Sequence, residues 1–274
     1  MYADMHIHTI FSDGTQTPEE VANDAANKDI GLISVCDHNS IGSYERLRPA
    51  CTALGITLVQ GVELNVSWTE KDLHLLAYNF DPADKKMLAL IDRNQDEFRR
   101  MDLEFIEKVE KDHPEVSLSE FESYKKPEGR GGWPGLNYIH DCGLTEDLLT
   151  DGNKMYKKYG KKMYFGTLAE ACKIVRAAGG VPVLAHPGIF WSEDELPDKL
   201  PKILAEGIGG LECYYPVHNE SFAAKCVDFC KTNDLCIAAG CDGHGDFAQY
   251  ERGVLCDLGV QKIDTSLLNL RGIV

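Results

Sequence analysis

A chain of 274 residues with 43% apolar and 26% charged residues can bury one large core, and its composition excludes an intrinsically disordered polymer. No run approaches the roughly 20 apolar residues of a membrane helix, and the opening MYADMHIH lacks the basic-then-apolar run of a secretory signal; the expectation is a cytoplasmic protein with no membrane partner. A formal charge of −16 excludes a protein that coats nucleic acid with a basic face. That charge is uneven: residues 84–165 hold 15 Lys and Arg against 17 Asp and Glu, leaving 13 against 27 elsewhere. Bound cations would offset part of this acidity, beside ordinary solubilising surface charge. The ten cysteines show no C-x-x-C pair and sit in runs such as LISVC and GLECYY, which reads as buried free thiols.

In chain order, YADMHIH reads as a first strand. Thr17-Pro18-Glu19-Glu20 then opens a helix toward Lys28, with a capping box and a proline at the first helical position. LISVC, TLVQGVEL and LHLLAY follow as strands. Between about Asp84 and Phe165 the strands stop. There Met87 to Val109 reads as charged amphipathic helix, and Gly129-Arg130-Gly131-Gly132-Trp133-Pro134-Gly135 must be loop. A second capping box, Thr167-Leu168-Ala169-Glu170, starts a helix that stops at Gly179-Gly180, and VPVLAH, GLECYY and CIAAGCD complete seven strands. Such alternation predicts an α/β fold with parallel strands, either a barrel or an open doubly wound sheet. Residues 1–83 and 166–274 form it, and 84–165 form an inserted, mostly helical subdomain.

Six of the nine histidines fall at or just after the ends of these strands: His6, His8, His38, His74, His186 and His244. In a barrel of alternating strands and helices, strand ends on one face build the active site, so ligands distant in sequence converge there. The i, i+2 spacing of His6 and His8 puts both side chains on one side of an extended strand. Asp13, Asp37, Glu63 and Asp242 follow the same rule. Imidazole with carboxylate suits Zn, Mn or Fe. Singly, each residue could be a core histidine or a turn aspartate; jointly they point to a metal centre. Asp37 either orients a ligating histidine or caps the segment after it.

Taken together, His-Ile-His followed by Ser-Asp-Gly, Asp37-His38, Gly-Val-Glu-Leu around Glu63, His74, Ala-His-Pro-Gly around His186 and Asp242-Gly-His244 resemble the PHP (polymerase and histidinol phosphatase) family of metal-dependent phosphoesterases. The resemblance implies a distorted seven-stranded (β/α) barrel and a site for two or three divalent ions of Mn, Fe or Zn. It assigns His6, His8, Glu63 and Asp242 to a first ion, bridged by Glu63 to a second that His74 and His186 complete. Asp13, His38 and His244 would hold a third. The implied reaction is hydrolysis of a phosphomonoester by metal-activated hydroxide, with Glu63, Asp13, His186 and His244 as the catalytic set.

For the substrate, Arg130 is the expected phosphate clamp, because guanidinium forks onto phosphate oxygens and glycines let backbone approach. The insertion resembles the branch acting on AMP or nucleoside 3′,5′-bisphosphates, except that its Gly-Arg-Pro-His motif is Gly-Arg-Gly-Gly-Trp-Pro here. Trp133 could stack on a base or pack as a structural residue. His218, in YYPVHNES, resembles a Tyr-Pro-x-His element and is expected to touch substrate, whereas His113 and His140 match nothing. The expected partner is a small phosphorylated substrate such as a nucleotide, or a short oligonucleotide. Alternatives are a 5′–3′ exoribonuclease on short RNA, a histidinol-phosphate phosphatase and a non-catalytic metal-binding module. An amidohydrolase would place a lysine at a strand end, where this chain has Glu63.

Overall fold

The computed structural model describes all residues from 1 to 274. The first half contains β1 (Tyr2–Ile7), α1 (Pro18–Asn27), β2 (Ile30–Val35), α2 (Tyr44–Leu54), β3 (Thr57–Trp68) and β4 (Lys71–Tyr78). Helices α3 (Lys85–Asp112), α4 (Leu118–Phe121), α5 (Pro134–Asp141), α6 (Thr150–Tyr159) and α7 (Leu168–Ala177) follow without a strand. The chain then runs through β5 (Val181–Leu184), α8 (Pro187–Phe190), α9 (Leu196–Ala205), β6 (Gly210–Tyr214), α10 (Glu220–Thr232) and β7 (Cys236–Ala239). A short hairpin, β8 (Tyr250–Glu251) and β9 (Val254–Leu255), precedes β10 (Ile263–Asp264). Both expected helix starts have their caps: Thr17 accepts from the Glu20 amide and Thr167 from the Glu170 amide.

Eight strands share one sheet in the order β10-β1-β2-β3-β4-β5-β6-β7. The two ends approach each other. Asp242 N–H donates to His6 O and His8 N–H to Gly243 O, both at 2.8 Å, so the segment after β7 joins β1 and nearly closes a barrel. β1 is buried almost throughout, without the polar alternation of a half-exposed strand, because helices cover one side and the barrel interior the other.

Among the seven expected strands the all-parallel expectation fails at one, β4, which pairs antiparallel with both β3 and β5; the added β10 is antiparallel to β1. β3 runs on past Glu63 to Trp68, and only Thr69 and Glu70 separate it from β4. A two-residue connection can make a hairpin but never a parallel crossover. The reversal has a consequence for the site. His74 lies near the start of β4 rather than at its end, and reversal brings that start level with the C-terminal ends of the parallel strands.

Helix α3 is shared between two cores. Met87, Leu90 and Ile91 pack into the main cluster with Leu64, Leu75 and Val175, while Phe105, Ile106 and Val109 pack with Tyr138 and Ile139 of α5 in a separate one. At the junction, three buried asparagines replace apolar packing. Asn94 Nδ2–H donates to Asn39 Oδ1 (2.8 Å) and Asn65 O (2.9 Å), and Asn39 Nδ2–H donates to Asn65 Oδ1 (2.7 Å). Gln95 Nε2–H adds a bond to Asn39 O at 2.7 Å. These bonds fix α3 to the residue that follows His38. All ten cysteines are free thiols, nine of them buried and Cys142 half-buried.

Removing the Asn94 amide leaves Asn65 O buried without its side-chain donor, which costs about 1–3 kcal/mol. Asn94→Ala is therefore expected to lower the urea midpoint with an unchanged m-value. A midpoint equal to that of the parent chain would show that the asparagine junction contributes nothing net.

Candidate metal centre

All nine residues singled out as ligands lie on one rim of the barrel. His6 is in β1 and His8 just beyond it; Asp13 is in the loop before α1. His38 follows β2 and pairs as an isolated parallel bridge with Glu63 inside β3. His74 comes from reversed β4, His186 from the end of β5, and Asp242 and His244 from the loop after β7. Three of these loop residues or their neighbours hold left-handed backbone: Asn39 (φ 47°), His186 (φ 25°) and Asp242 (φ 55°). For residues other than glycine such conformations cost of order 1–3 kcal/mol and persist only where the surroundings impose them.

Glu63, fully buried, lies at the centre. Its Oε1 is 2.9 Å from His74 Nδ1, 3.1 Å from His186 Nε2 and 3.4 Å from His6 Nε2. The other oxygen, Oε2, is 3.1 Å from His38 Nδ1 and 3.4 Å from His8 Nε2. Asp242 Oδ1 is 2.9 Å from His8 Nε2 and 3.3 Å from His6 Nε2, and Asp13 Oδ2 is 3.3 Å from His244 Nε2. Two pairs of imidazole nitrogens also face each other, His6 with His8 at 3.2 Å and His74 with His186 at 3.3 Å.

These contacts have the spacing of donor atoms around shared cations: ligands at bond lengths of about 2.0–2.2 Å stand about 3.0–3.5 Å apart. They lack the direction of a closed hydrogen-bond network. Asp13 Oδ1, Glu63 Oε2, Asp242 Oδ1 and His38 Nδ1 are buried with no hydrogen-bond partner. Such orphaned acceptors are costly unless something else satisfies them. Donor atoms fall into compact sets, His6, His8, Glu63 and Asp242 in one, and His8, Asp13, His38 and His244 in another. Glu63 and His74 group with His38 and, through the 3.1 and 3.3 Å contacts above, with His186. The residues present thus fit divalent cations.

Electrostatics agree. No lysine or arginine pairs with Asp13, Glu63 or Asp242. Burial alone would drive the histidines toward neutrality, yet the Asp242, Glu63 and Glu212 carboxylates hold His6 well above its ordinary value, and Asp242 and Glu63 push His8 up to about 10. Burial dominates at His38 and takes it down to about 3. Against the cost of burial, the surrounding imidazoles hold Glu63 and Asp242 well below the usual carboxylate range. This is the field of a cluster that favours positive charge at its centre.

Some expected residues sit elsewhere. Arg130 does not enter the centre: its Nη1–H donates to Asp141 Oδ1 at 2.5 Å, and it lines a cavity with Thr15, His140 and Phe247. The glycines around it serve backbone packing. Gly132 N–H donates to Asp13 O, and a Cβ at Gly131 (φ 77°) would stand 2.4 Å from Phe247 Cβ and 3.0 Å from Asp13 O. His218 uses both ring nitrogens internally, Nδ1–H toward Cys213 O (3.0 Å) and Nε2 accepting from Gly188 N–H (2.9 Å), and burial lowers its pKa to about 4. It is a neutral brace between β6 and α8. Asp37 accepts from Thr9 N–H, Thr9 Oγ1–H and Ser12 Oγ–H, so it fixes the loop that presents Asp13 and bonds directly to no histidine.

A cleft of about 410 Å³ opens beside His38. Trp133 lines it, stacked on Phe98 with ring centroids 4.5 Å apart and 5.4 Å from the His38 ring. Arg99 and Lys126 line it too, and neither stands in a distinguishing motif. Lys126 Nζ–H bonds Ser12 O and Gly132 O, which ties the insertion to the Asp13 loop. Glu212 is the other residue missed. Its signal was available, an acid inside the apolar run GLECYY, and its fully buried carboxylate accepts from His6 Nδ1–H at 3.0 Å.

Comparison with known proteins agrees with this geometry. Residues 4–128 match the family model of the PHP domain. A 3′,5′-nucleoside bisphosphate phosphatase from Chromobacterium violaceum is 26% identical over 88% of this chain and 86% of its own length. The phosphoribosyl 1,2-cyclic phosphate 1,2-diphosphodiesterase of Eggerthella lenta is 24% identical over 91% and 96%, and a 5′-3′ exoribonuclease of Haemophilus influenzae is 26% identical over 67% and 68%. In fold, a Bifidobacterium adolescentis chain described as a metal-dependent phosphoesterase matches with a TM-score of 0.78 over 99% of this chain and 94% of its own, at 21% identity. The candidate ligand rim on a nearly closed barrel, a PHP domain match over residues 4–128 and relatives named as a phosphatase and a phosphodiesterase over most of the chain have one reading: the chain is a PHP-domain metal-dependent phosphoesterase.

Proposed function

We propose that the protein hydrolyses a phosphomonoester of a nucleotide or similar small phosphorylated metabolite, using two or three divalent ions of Mn, Fe or Zn held by the nine rim residues. The observation that carries this reading is the convergence of buried, partnerless carboxylate and imidazole atoms on Glu63, at the edge of an aromatic cleft. Mixed imidazole and carboxylate donors suit those metals rather than Ca or Mg. When bound, the ions neutralise phosphoryl oxygens and lower the pKa of a coordinated water toward about 7. Glu63, central among the histidines, would be shared between neighbouring ions, and Asp13, His186 and His244 would act on the reaction by holding them. Buried β1 and β3 keep these donors fixed, so little reorganisation accompanies turnover.

Residues 84–165 serve as the substrate-recognition subdomain, with Trp133 and Phe98 offering a face for a base and Arg99 a charge for phosphate. Arg99 takes the clamp role first expected of Arg130. Every other arginine is hydrogen-bonded or ion-paired, whereas Arg99 has no partner and lines the cleft of a strongly acidic protein. The breadth of similarity favours a small substrate: the bisphosphate phosphatase and cyclic phosphodiesterase relatives align over 88% and 91% of this chain, the exoribonuclease over 67%.

Glu63→Ala is expected to abolish phosphatase activity and to reduce bound metal per chain in elemental analysis; full turnover by that variant would remove the metal reading. Chelation should inactivate the parent protein and Mn should restore it. Arg99→Ala should raise KM about 10-fold, equivalent to roughly 1.4 kcal/mol, while Arg130→Ala leaves KM within about twofold. The reverse order would return the clamp to Arg130. A screen of nucleoside mono- and bisphosphates, a ribosyl cyclic phosphate, histidinol phosphate and short oligoribonucleotides decides the substrate. Faster turnover of the oligonucleotides than of any nucleotide would favour the exoribonuclease reading.

A further inference from the structure

Glu212 lies in the middle of β6, fully buried, with no lysine or arginine beside it. Its two oxygens serve two different ligand-bearing segments. Oε1 accepts from His6 Nδ1–H at 3.0 Å, and Oε2 accepts from the backbone N–H of His186 at 2.7 Å. The first bond fixes the tautomer of His6. With the proton on Nδ1, the lone pair of Nε2 faces His8 Nε2, Asp242 Oδ1 and Glu63 Oε1, at 3.2, 3.3 and 3.4 Å. The second bond holds the His186 backbone at its left-handed φ of 25°, from which its Nε2 reaches Glu63 Oε1 and His74 Nδ1.

The barrel wall leaves space for this carboxylate. A Cβ built at Gly240, on the neighbouring strand end, would stand 2.6 Å from Glu212 Oε1 and 2.2 Å from His6 Cβ. Glycine at 240 therefore leaves room for the Glu212 carboxylate and for the β1 backbone at His6.

We infer that Glu212 is the positioning residue of the metal centre, setting the His6 tautomer and the His186 backbone together so that the ion positions on either side of Glu63 form as one unit. The inference rests on the nine-ligand reading above. Both groups facing Glu212 are donors, and a carboxylate offers an acceptor to each. Glutamine has one acceptor oxygen and one donor NH₂. With Gln at 212, either His6 turns its Nε2–H toward the ions and ceases to ligate, or the His186 amide faces a donor.

The test measures equilibrium Zn²⁺ and Mn²⁺ binding by chelator competition on the full chain, with circular dichroism of the metal-free protein to show folding. Glu212→Gln is expected to weaken the stoichiometric sites by about 10- to 100-fold, and Glu212→Asp, which keeps two acceptors, to recover part of that loss. A folded Glu212→Gln with parental affinity and stoichiometry overturns the inference. The parent protein gives a readout independent of any variant's folding. ¹⁵N-histidine NMR of the Zn-loaded chain should show His6 protonated at Nδ1 and ligated through Nε2, with the resonance assigned by its loss in His6→Ala. Ligation through Nδ1, or an Nε2–H tautomer, overturns the role. If the parent binds no stoichiometric metal, the nine-ligand reading fails and this inference fails with it; a failure confined to the Glu212 variants leaves that reading intact.

Discussion

The structure depends on the burial of Glu63 among imidazoles. A carboxylate taken out of water without cationic partners is strongly disfavoured, and here the nearest groups are five histidines that burial would itself make neutral. Some positive charge must occupy the rim, as protons on the histidines or as divalent ions between the donors. The acceptors left without hydrogen bonds distinguish these two solutions, because protonated imidazoles would be expected to donate to them while shared cations would leave them in this arrangement. Asp13, Glu63 and Asp242 supply a small part of the excess of acid outside residues 84–165; the rest is mostly surface charge.

Around that centre, the fold works as a set of constraints on direction. Reversal of β4 is the least regular feature of the sheet, yet it turns the beginning of a strand toward the rim and places His74 opposite His186. The loop of Asp13 is fixed three times, by Asp37 just after β2, by Lys126 from the insertion and by the Gly132 amide. A ligand on a loop is thereby held as firmly as one on a strand. Glu212 does the same for two ligands from inside the wall.

The candidate ligand rim was legible in the sequence because strand ends carry their own signature, a run of apolar residues closed by histidine or acid, and the structure brings those closures together. All seven barrel strands could be read for the same reason. Direction could not: β4 has the same apolar composition as its parallel neighbours, and its reversal is decided by a two-residue link whose residues, Thr69 and Glu70, carry no turn signal. Substrate contacts were the least legible part. Arg130 stood out through its glycines, but those glycines accommodate Phe247 and Asp13, and the arginine is spent on Asp141. Arg99 belongs to an ordinary charged helix, and only the absence of a partner in three dimensions distinguishes it. His218 resembles a substrate contact through its Tyr-Pro-x-His setting, and its ring is engaged in two internal hydrogen bonds.

The single helix that roots the insertion in the barrel acts as a lever. α3 spans 28 residues, about 42 Å, with its base in the main core and its far half packed in the insertion's own core. Phe98 and Arg99 stand half-way along it, about 20 Å from the base, so a tilt of about 5° there would shift the cleft wall by nearly 2 Å. Because Lys126 and the Gly132 amide tie the same insertion to the Asp13 loop, such a tilt would pull on the rim as well as on the cleft wall, which couples the shape of the cleft to the position of one donor.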